Sequence, residues 1–321
     1  MRLALAGLGS AAVRGHVPAI GHATRALTLV AAADPAADRR RETHALLDGL
    51  PVFDSAETML AAIACDVLVV AAEPAAHADL VVLGLRHGVH VVCEKPLVVT
   101  QSDYDRILRE HASKPSLGIV SMLQYRYSPT WRLIARCARL ADRLRIPFAL
   151  VFDVRRPGAD PLAASLWRSA PEASGGMLAD HGVHCVGLAG TVGDRLDVLA
   201  SVRTCAARGE RSRASLRVGR GVATIRVESG APSRETTVTL HLPRAAIVWR
   251  DERVALHVGR RRVLSRRTHA ISDRVHVDAL YRPFYGDLAR NLTCFAWRAQ
   301  RTAESLVVAR ALLALLAGRP S

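Results

Sequence analysis

"RLALAGLGSAA", residues 2–12, decides the fold. Residues 2–8 form a short apolar run, the pattern of a strand buried on both faces. The run ends in Gly7-x-Gly9-x-x-Ala12, and a helical pattern follows near 10–22. Strand, glycine turn and helix in that order make a loop suited to a dinucleotide. Gly7 permits the tight turn. Gly9 lets backbone approach a pyrophosphate, and Ala12 allows close packing of helix on strand. Leu8 and Ser10 fill the loop between them. The helix start adds N–H donors and partial positive charge. Glycine suits any tight turn, so the context must carry the reading.

That context extends along the chain. A second strand, 27–34, ends in Asp34, 22 residues after Ala12. An acidic residue there would bond the adenosine ribose hydroxyls. The plain alternative for Asp34 is a helix cap before Pro35. A carboxylate repels a 2′-phosphate, so Asp34 favours NAD, while Arg39, Arg40 and Arg41 leave NADP open. Apolar strands at 51–54, 66–72, 90–96 and 117–123 alternate with helical stretches at 36–48, 55–63, 76–87 and 101–112. Such alternation predicts a doubly wound parallel sheet over residues 1–120. Beyond it, 121–321 is expected to be an α+β domain. Its strands alternate with period two, which predicts an open, mostly antiparallel sheet.

The bulk composition excludes several classes. Six scattered cysteines without a C-x-x-C pair signal neither zinc nor a disulfide framework, so no metal is expected and reduced thiols point to the cytoplasm. The start of the chain has Arg2 and an apolar run, as a signal peptide would. Glycines break the run, and Arg14 and His16 follow at once, so it reads as a strand and turn. No apolar run is long enough for a membrane span. The net charge of +15 is concentrated in 203–267, which holds sixteen arginines against five acidic residues. Without a nucleic-acid motif, that segment reads as a solvated arginine face and not as a specific nucleic-acid site.

A further motif is "GGMLADHGVH", 175–184. Asp180 and His184 are four apart and share one face of a helix. A histidine with an ordinary pKa near 6.5 can move a proton at neutral pH. Asp180 can orient that ring or contact substrate. An exposed polar pair is the plain alternative, and His181 alone does not make a metal site.

The chain resembles the Gfo/Idh/MocA family: glucose-fructose oxidoreductase, inositol dehydrogenase and rhizopine catabolism. "GLGSAA" is similar to that family's dinucleotide loop and "CEKP", 93–96, to its E-K-P motif. "YRYSP", "LWR" and "SGGMLADHGVH" resemble later motifs in the same order, with Ser174 in place of one glycine. Where the family often has Thr-Pro-Asn, this chain has Ala72-Glu73-Pro74 and then His77. A glutamate near the pyrophosphate would repel it unless it points away. The resemblance implies hydride transfer between NAD(P) and a secondary alcohol or ketone of a sugar, polyol or cyclitol. It also implies a homodimer or homotetramer built on the open sheet. By the same resemblance Lys95, Asp180 and His184 are catalytic. Ala72, His77, Glu94, Lys95, Trp167 and Arg168 are added to the cofactor residues.

Lys95 stands out in its own right, because only it and Lys114 are lysine among 44 basic residues. Arginine stays charged, whereas a lysine can share its proton when crowded or buried. Pro96 steers residue 95 toward an extended conformation. Arg126 in "YRYSP", with Asp153 and Arg155 on one side of the strand "FDVRR", are expected substrate contacts. The rival reading is a non-catalytic NAD-binding regulator or partner subunit on the same scaffold.

Overall fold

The first apolar run forms β1 (Arg2–Ala6), in the interior of a six-stranded sheet. The other strands are β2 (Thr28–Ala33), β3 (Val52–Phe53), β4 (Val67–Val70), β5 (His90–Cys93) and β6 (Ile119–Ser121). Every pairing is parallel, and the order is β3-β2-β1-β4-β5-β6. Leu3, Ala4 and Leu5 of β1 and all of β4 have no exposed surface, as a strand covered on both faces requires. The order reverses between β1 and β4, so a crevice opens at their carboxyl ends. This computed structural model describes residues 1–23, 26–157, 175–193, 195–206, 209–268 and 277–318.

The chain divides into two compact units, Met1–Gln124 with Val275–Leu306, and Tyr125–Arg274 with Val307–Ser321. A linear boundary near 120 therefore leaves out a C-terminal stretch that packs with the first unit. Part of that stretch covers a sheet edge. On the helix Phe295–Leu316, Thr302 Oγ1 accepts the N–H of Ile119 at 3.0 Å, and Ser305 Oγ accepts that of Ser121 at 2.9 Å. An edge strand with its amides capped in this way offers no template for another chain.

The second unit carries eight strands: β7 (Ala149–Pro157), β8 (Leu196–Ala206), β9 (Gly209–Val218), β10 (Gly221–Ala231), β11 (Glu235–Leu242), β12 (Ala245–Arg250), β13 (Arg253–Val258) and β14 (Arg261–Arg267). Their order is β14-β13-β12-β11-β7-β10-β9-β8, and only β7 and β10 pair in parallel. The sequence expectation of an open, mostly antiparallel sheet holds. In β9, buried Ser212, Ala214, Leu216 and Val218 alternate with Arg211, Arg213 and Arg217 on the outer face. The arginines of β9 thus lie on the outer face of the sheet, whereas Arg261 and Arg262, and Arg266 and Arg267, are adjacent on β14 and fall on both of its faces. Some of the basic segment's charge is paired, as in Arg226 with Asp153 at 3.3 Å and Arg211 with Glu228 at 2.8 Å.

Three helical stretches contain a single wide π turn, at Ala12–His16, Leu178–Gly182 and Val277–Tyr281. The helix expected near 10–22 is present, with the π turn Ala12–His16 running into the α-helix Val17–Ala23.

Candidate active site

Gly7 sits at φ +96°, and a Cβ on it would lie 2.6 Å from backbone atoms of both Ala71 and Ala72. Glycine is required because the chain leaving β4 crosses at van der Waals distance. Gly9 is different: a Cβ there would meet nothing within 4 Å. Open space thus lies over the start of the helix, where the first N–H groups have no partner inside the helix. Ala12 is fully buried, Leu8 nearly so, and Ser10 is exposed. Glu73 is exposed at the N-cap of the helix Pro74–Arg86 and makes no capping bond. These residues fit a dinucleotide: an open glycine, helix amides and a switch point.

Asp34 is 2% exposed. Its Oδ2 accepts the N–H of Leu8 at 2.8 Å and its Oδ1 that of Ala36 at 2.9 Å. The following helix has Ala36 as its N-cap without a side-chain cap, so Asp34 does not cap it and instead ties the turn after β1 to the turn after β2. Each oxygen retains a second lone pair, so any ribose contact has to share oxygens already in use. Arg40 donates to the carbonyls of Asp34 and Pro35, and Arg41 pairs with Asp38. Arg39 lies 3.7 Å from Asp34.

Lys95 is half-buried immediately after β5, and the strand beside it is anchored by a buried network. Glu94 Oε2 accepts the backbone N–H of Lys95 at 3.0 Å. Its Oε1 lies 3.1 Å from His16 Nε2 and accepts the Tyr281 hydroxyl at 3.2 Å. His16 Nδ1 lies 2.6 Å from the Tyr285 hydroxyl. Burial raises the Tyr285 pKa well above normal, so that phenol keeps its proton. Burial alone would raise the Glu94 pKa, but the bond and charge of His16, with Lys95 beside it, bring it below the usual value. His16, Tyr281 and Tyr285 are the functional-site neighbours that sequence reasoning missed. The i,i+4 spacing of the two tyrosines was the available signal.

His77, expected at the cofactor, is a buried strut instead. Its Nδ1 lies 2.7 Å from the Pro96 carbonyl and its Nε2 3.1 Å from that of Ala72. Burial lowers its pKa, against the two carbonyls, which raise it. His77 joins the loops that follow β4 and β5, and with Glu94 it fixes the backbone on either side of Lys95.

In the second unit the motif glycines acquire a reason. Gly176 has φ +65°, and a Cβ there would collide with Glu210 and Arg203. Glu210 Oε2 accepts the Met177 N–H at 2.9 Å and pairs with Arg203 at 3.1 Å. A carboxylate from β9 thus caps the helical stretch that carries Asp180 and His184. Asp180 is buried, with Oδ2 3.6 Å from His181 Nε2. His184 is half-buried and meets the Tyr125 ring edge-on, centroids 4.5 Å apart. Burial pushes the neighbouring Cys185 thiol up to about 12, so it is inert as a nucleophile near neutral pH.

The expected substrate contacts on β7 fall on the wrong face. Asp153 pairs with Arg226 and Arg155 is exposed, on the side of the sheet away from His184. The opposite parity, Phe152, Val154 and Arg156, is buried and lines a small pocket with Tyr125, His184 and Thr236. The strand was read correctly and its phase was not. Arg126 is half-buried on the 3-10 turn Gln124–Tyr127. Trp167 and Arg168 lie outside the described residues. Lys95 belongs to the first unit, Asp180 and His184 to the second.

The strand order, switch point and open glycine loop define a nicotinamide-dinucleotide-binding Rossmann domain. Residues 1–121 match the model of the GFO_IDH_MocA oxidoreductase family, NAD-binding Rossmann fold. The D-xylose 1-dehydrogenase (NADP(+)) 2 of Haloferax volcanii is 28% identical over 194 residues, 58% of this chain and 54% of that relative. The match thus spans about half the length of the curated relative. Solved structures of the same fold include the myo-inositol 2-dehydrogenase from Lactobacillus plantarum, with TM-score 0.76 and 18% identity over 100% of this chain and 98% of that one. Another is the WlbA dehydrogenase from Bordetella pertussis in complex with NADH and UDP-GlcNAcA, with TM-score 0.75 and 19% identity over 99% and 96%. Among the described residues no cluster of ligands could hold a metal, and no helix is long and apolar enough to cross a membrane.

Proposed function

We propose that this protein is an NAD(P)-dependent dehydrogenase or reductase acting on a secondary alcohol or ketone carbon of a sugar, polyol or cyclitol. The observation that carries the reading is the NAD-binding domain itself, with its loop open over Gly9. Bound nicotinamide supplies a hydride acceptor or donor. In the oxidation direction His184 takes the hydroxyl proton, Asp180 orients the site, and Lys95 holds and polarises the oxygen. In reduction the roles reverse. Gly7, Gly9 and Asp34 shape the cofactor site, and Asp34 favours NAD over NADP. The outward arginine face of the second sheet is the surface we assign to a homodimer or homotetramer. Free thiols at Cys65, Cys93, Cys137, Cys185 and Cys294 support a cytoplasmic setting.

The test is a panel of neutral and acidic sugars and cyclitols with NAD and with NADP, followed by absorbance of the reduced cofactor. Turnover with at least one polyol and a preference for NAD is expected. Tight NAD binding with no turnover of any alcohol or ketone, in either direction, would leave a regulator in place of an enzyme.

A further inference from the structure

We propose that the pocket beside His184 is a carboxylate-binding subsite centred on Arg156, which makes the substrate a polyhydroxy acid of the uronate or aldonate kind. This deepens the oxidoreductase reading and rests on it for the chemistry at His184. The subsite itself stands on the geometry of the second unit alone.

Arg156 is 6% exposed, on the inward parity of β7. Its Nη1 donates to the carbonyls of Arg155 at 2.7 Å and Glu235 at 3.1 Å, and to Thr236 Oγ1 at 3.1 Å. Its Nε is buried and has no hydrogen-bond partner. Among the described residues its Nη2 has no hydrogen bond and the guanidinium no ion pair. Among the described residues Arg203 and Arg301 also leave Nε without a hydrogen-bond partner, but each is ion-paired: Arg203 with Glu210 at 3.1 Å, and Arg301 with Asp287 at 3.2 Å and Glu304 at 2.8 Å. Arg156 has no such ion pair, and it lines a pocket.

A buried guanidinium cannot shed its proton at physiological pH, so an unpaired one is a standing cost. A ligand anion would offset it. One edge of the fork, Nη1, is fixed on backbone. The edge left over, Nε with Nη2, presents two parallel N–H donors, the pattern that matches the two oxygens of a carboxylate. Two further donors face the same space. Thr236 Oγ1 accepts from Nη1 and so keeps its own proton to give. Burial holds the Tyr125 phenol protonated. Phe152 and Val238, both fully buried, make the remaining wall apolar, which strengthens an ionic contact and excludes competing water. The cavity is partly open and about 20 Å³, room for a small polar group. The subsite therefore takes an end group, while the rest of the substrate extends past His184.

The test titrates D-glucuronate and D-galacturonate, beside neutral D-glucose and D-galactose, into the full chain saturated with NAD. Wild type is compared with Arg156→Met, Arg156→Lys and Thr236→Val, and turnover is followed in the same samples. The acids should bind about 10²-fold more tightly than the neutral sugars. Arg156→Met should erase that preference. Arg156→Lys should keep only a fraction of it, because it retains charge without the fork. Thr236→Val should weaken it several-fold, and it serves as the probe if Arg156→Met loses NAD binding or its cooperative melt. Equal binding of acids and neutral sugars, no binding of either to wild type, or an acid preference untouched by the variants overturns the subsite. So does tighter binding of a hexose phosphate than of the uronates. Acids that bind through Arg156 with no reduction of NAD leave the subsite standing and remove the oxidoreductase reading. Turnover of neutral sugars without acid preference does the reverse.

Discussion

Glu94 and Arg156 are both buried charged side chains, one on a loop of the first unit and one on a strand of the second. Glu94 has a partner for each oxygen: His16 and Tyr281 on one, the Lys95 amide on the other. Arg156 has partners along one edge and none along the other. A buried charge whose bonds are all spent inside the protein holds structure in place. A buried charge with bonds left over is set for something that arrives later. The first arrangement stabilises the fold, and the second gives up stability for recognition.

The comparison can be strained at three points. The largest effect is expected at Lys95, which the Glu94 network positions. Lys95→Arg should lower turnover by about 10²–10⁴, nearly as much as Lys95→Ala, with cofactor affinity little changed. Lys114→Arg, in a loop on the protein surface, should be silent. Near-full turnover of Lys95→Arg would show that the network positions nothing of catalytic value.

Next comes Glu94 itself. Glu94→Ala strands the Tyr281 hydroxyl, the His16 ring and the Lys95 amide, and should cost about 3 kcal/mol of stability in a thermal or urea melt. Glu94→Gln keeps the shape and should cost less. The folded-state pKa of Glu94 is depressed, so its contribution is fully present above the ordinary glutamate pKa. It is lost as pH falls through the lower folded value. Wild type should therefore lose stability below about pH 4 more steeply than Glu94→Gln. Parallel acid limbs in the two proteins would count against a charged Glu94.

The smallest effect belongs to Arg156 without ligand. Arg156→Met removes an unmatched charge along with three bonds, and the melt should stay within about 1 kcal/mol of wild type. A loss as large as that of Glu94→Ala would make Arg156 a structural residue like its counterpart, and the contrast would collapse.

How far the sequence led can be seen at these same residues. The parallel sheet was readable because buried strands are continuous apolar runs, and Gly7 and Gly9 sit in sequence beside the strand they serve. Lys95, Asp180 and His184 were readable as motifs. Glu94 was read as a cofactor residue because its partners are remote: His16 and Tyr285 stand 269 residues apart. No local pattern ties such positions together. On β7 the alternation of "FDVRR" was plain, but nothing local says which parity faces the helix. A one-residue difference in phase exchanges Arg155 for Arg156 and moves the guanidinium to the other face. Asp34 shows a third limit. The residue type suits a ribose, yet the amides of Leu8 and Ala36 that it accepts become visible only when the two turns are brought together.

The π turns carry an evolutionary consequence. A π turn is what a single inserted residue looks like after a helix has absorbed it. Upstream and downstream of the insertion, side chains differ in angular phase by about 100° from an uninterrupted helix. His16 and Tyr281 close two such turns, and Asp180 lies inside the third. Shortening any of these segments by one residue would leave a regular α-helix with every hydrogen bond intact. It would also turn His16 or Tyr281 off the line to Glu94, or rotate Asp180 relative to His184. Loss of function by such a deletion would come with no loss of helix, which makes these turns points where length itself is under selection.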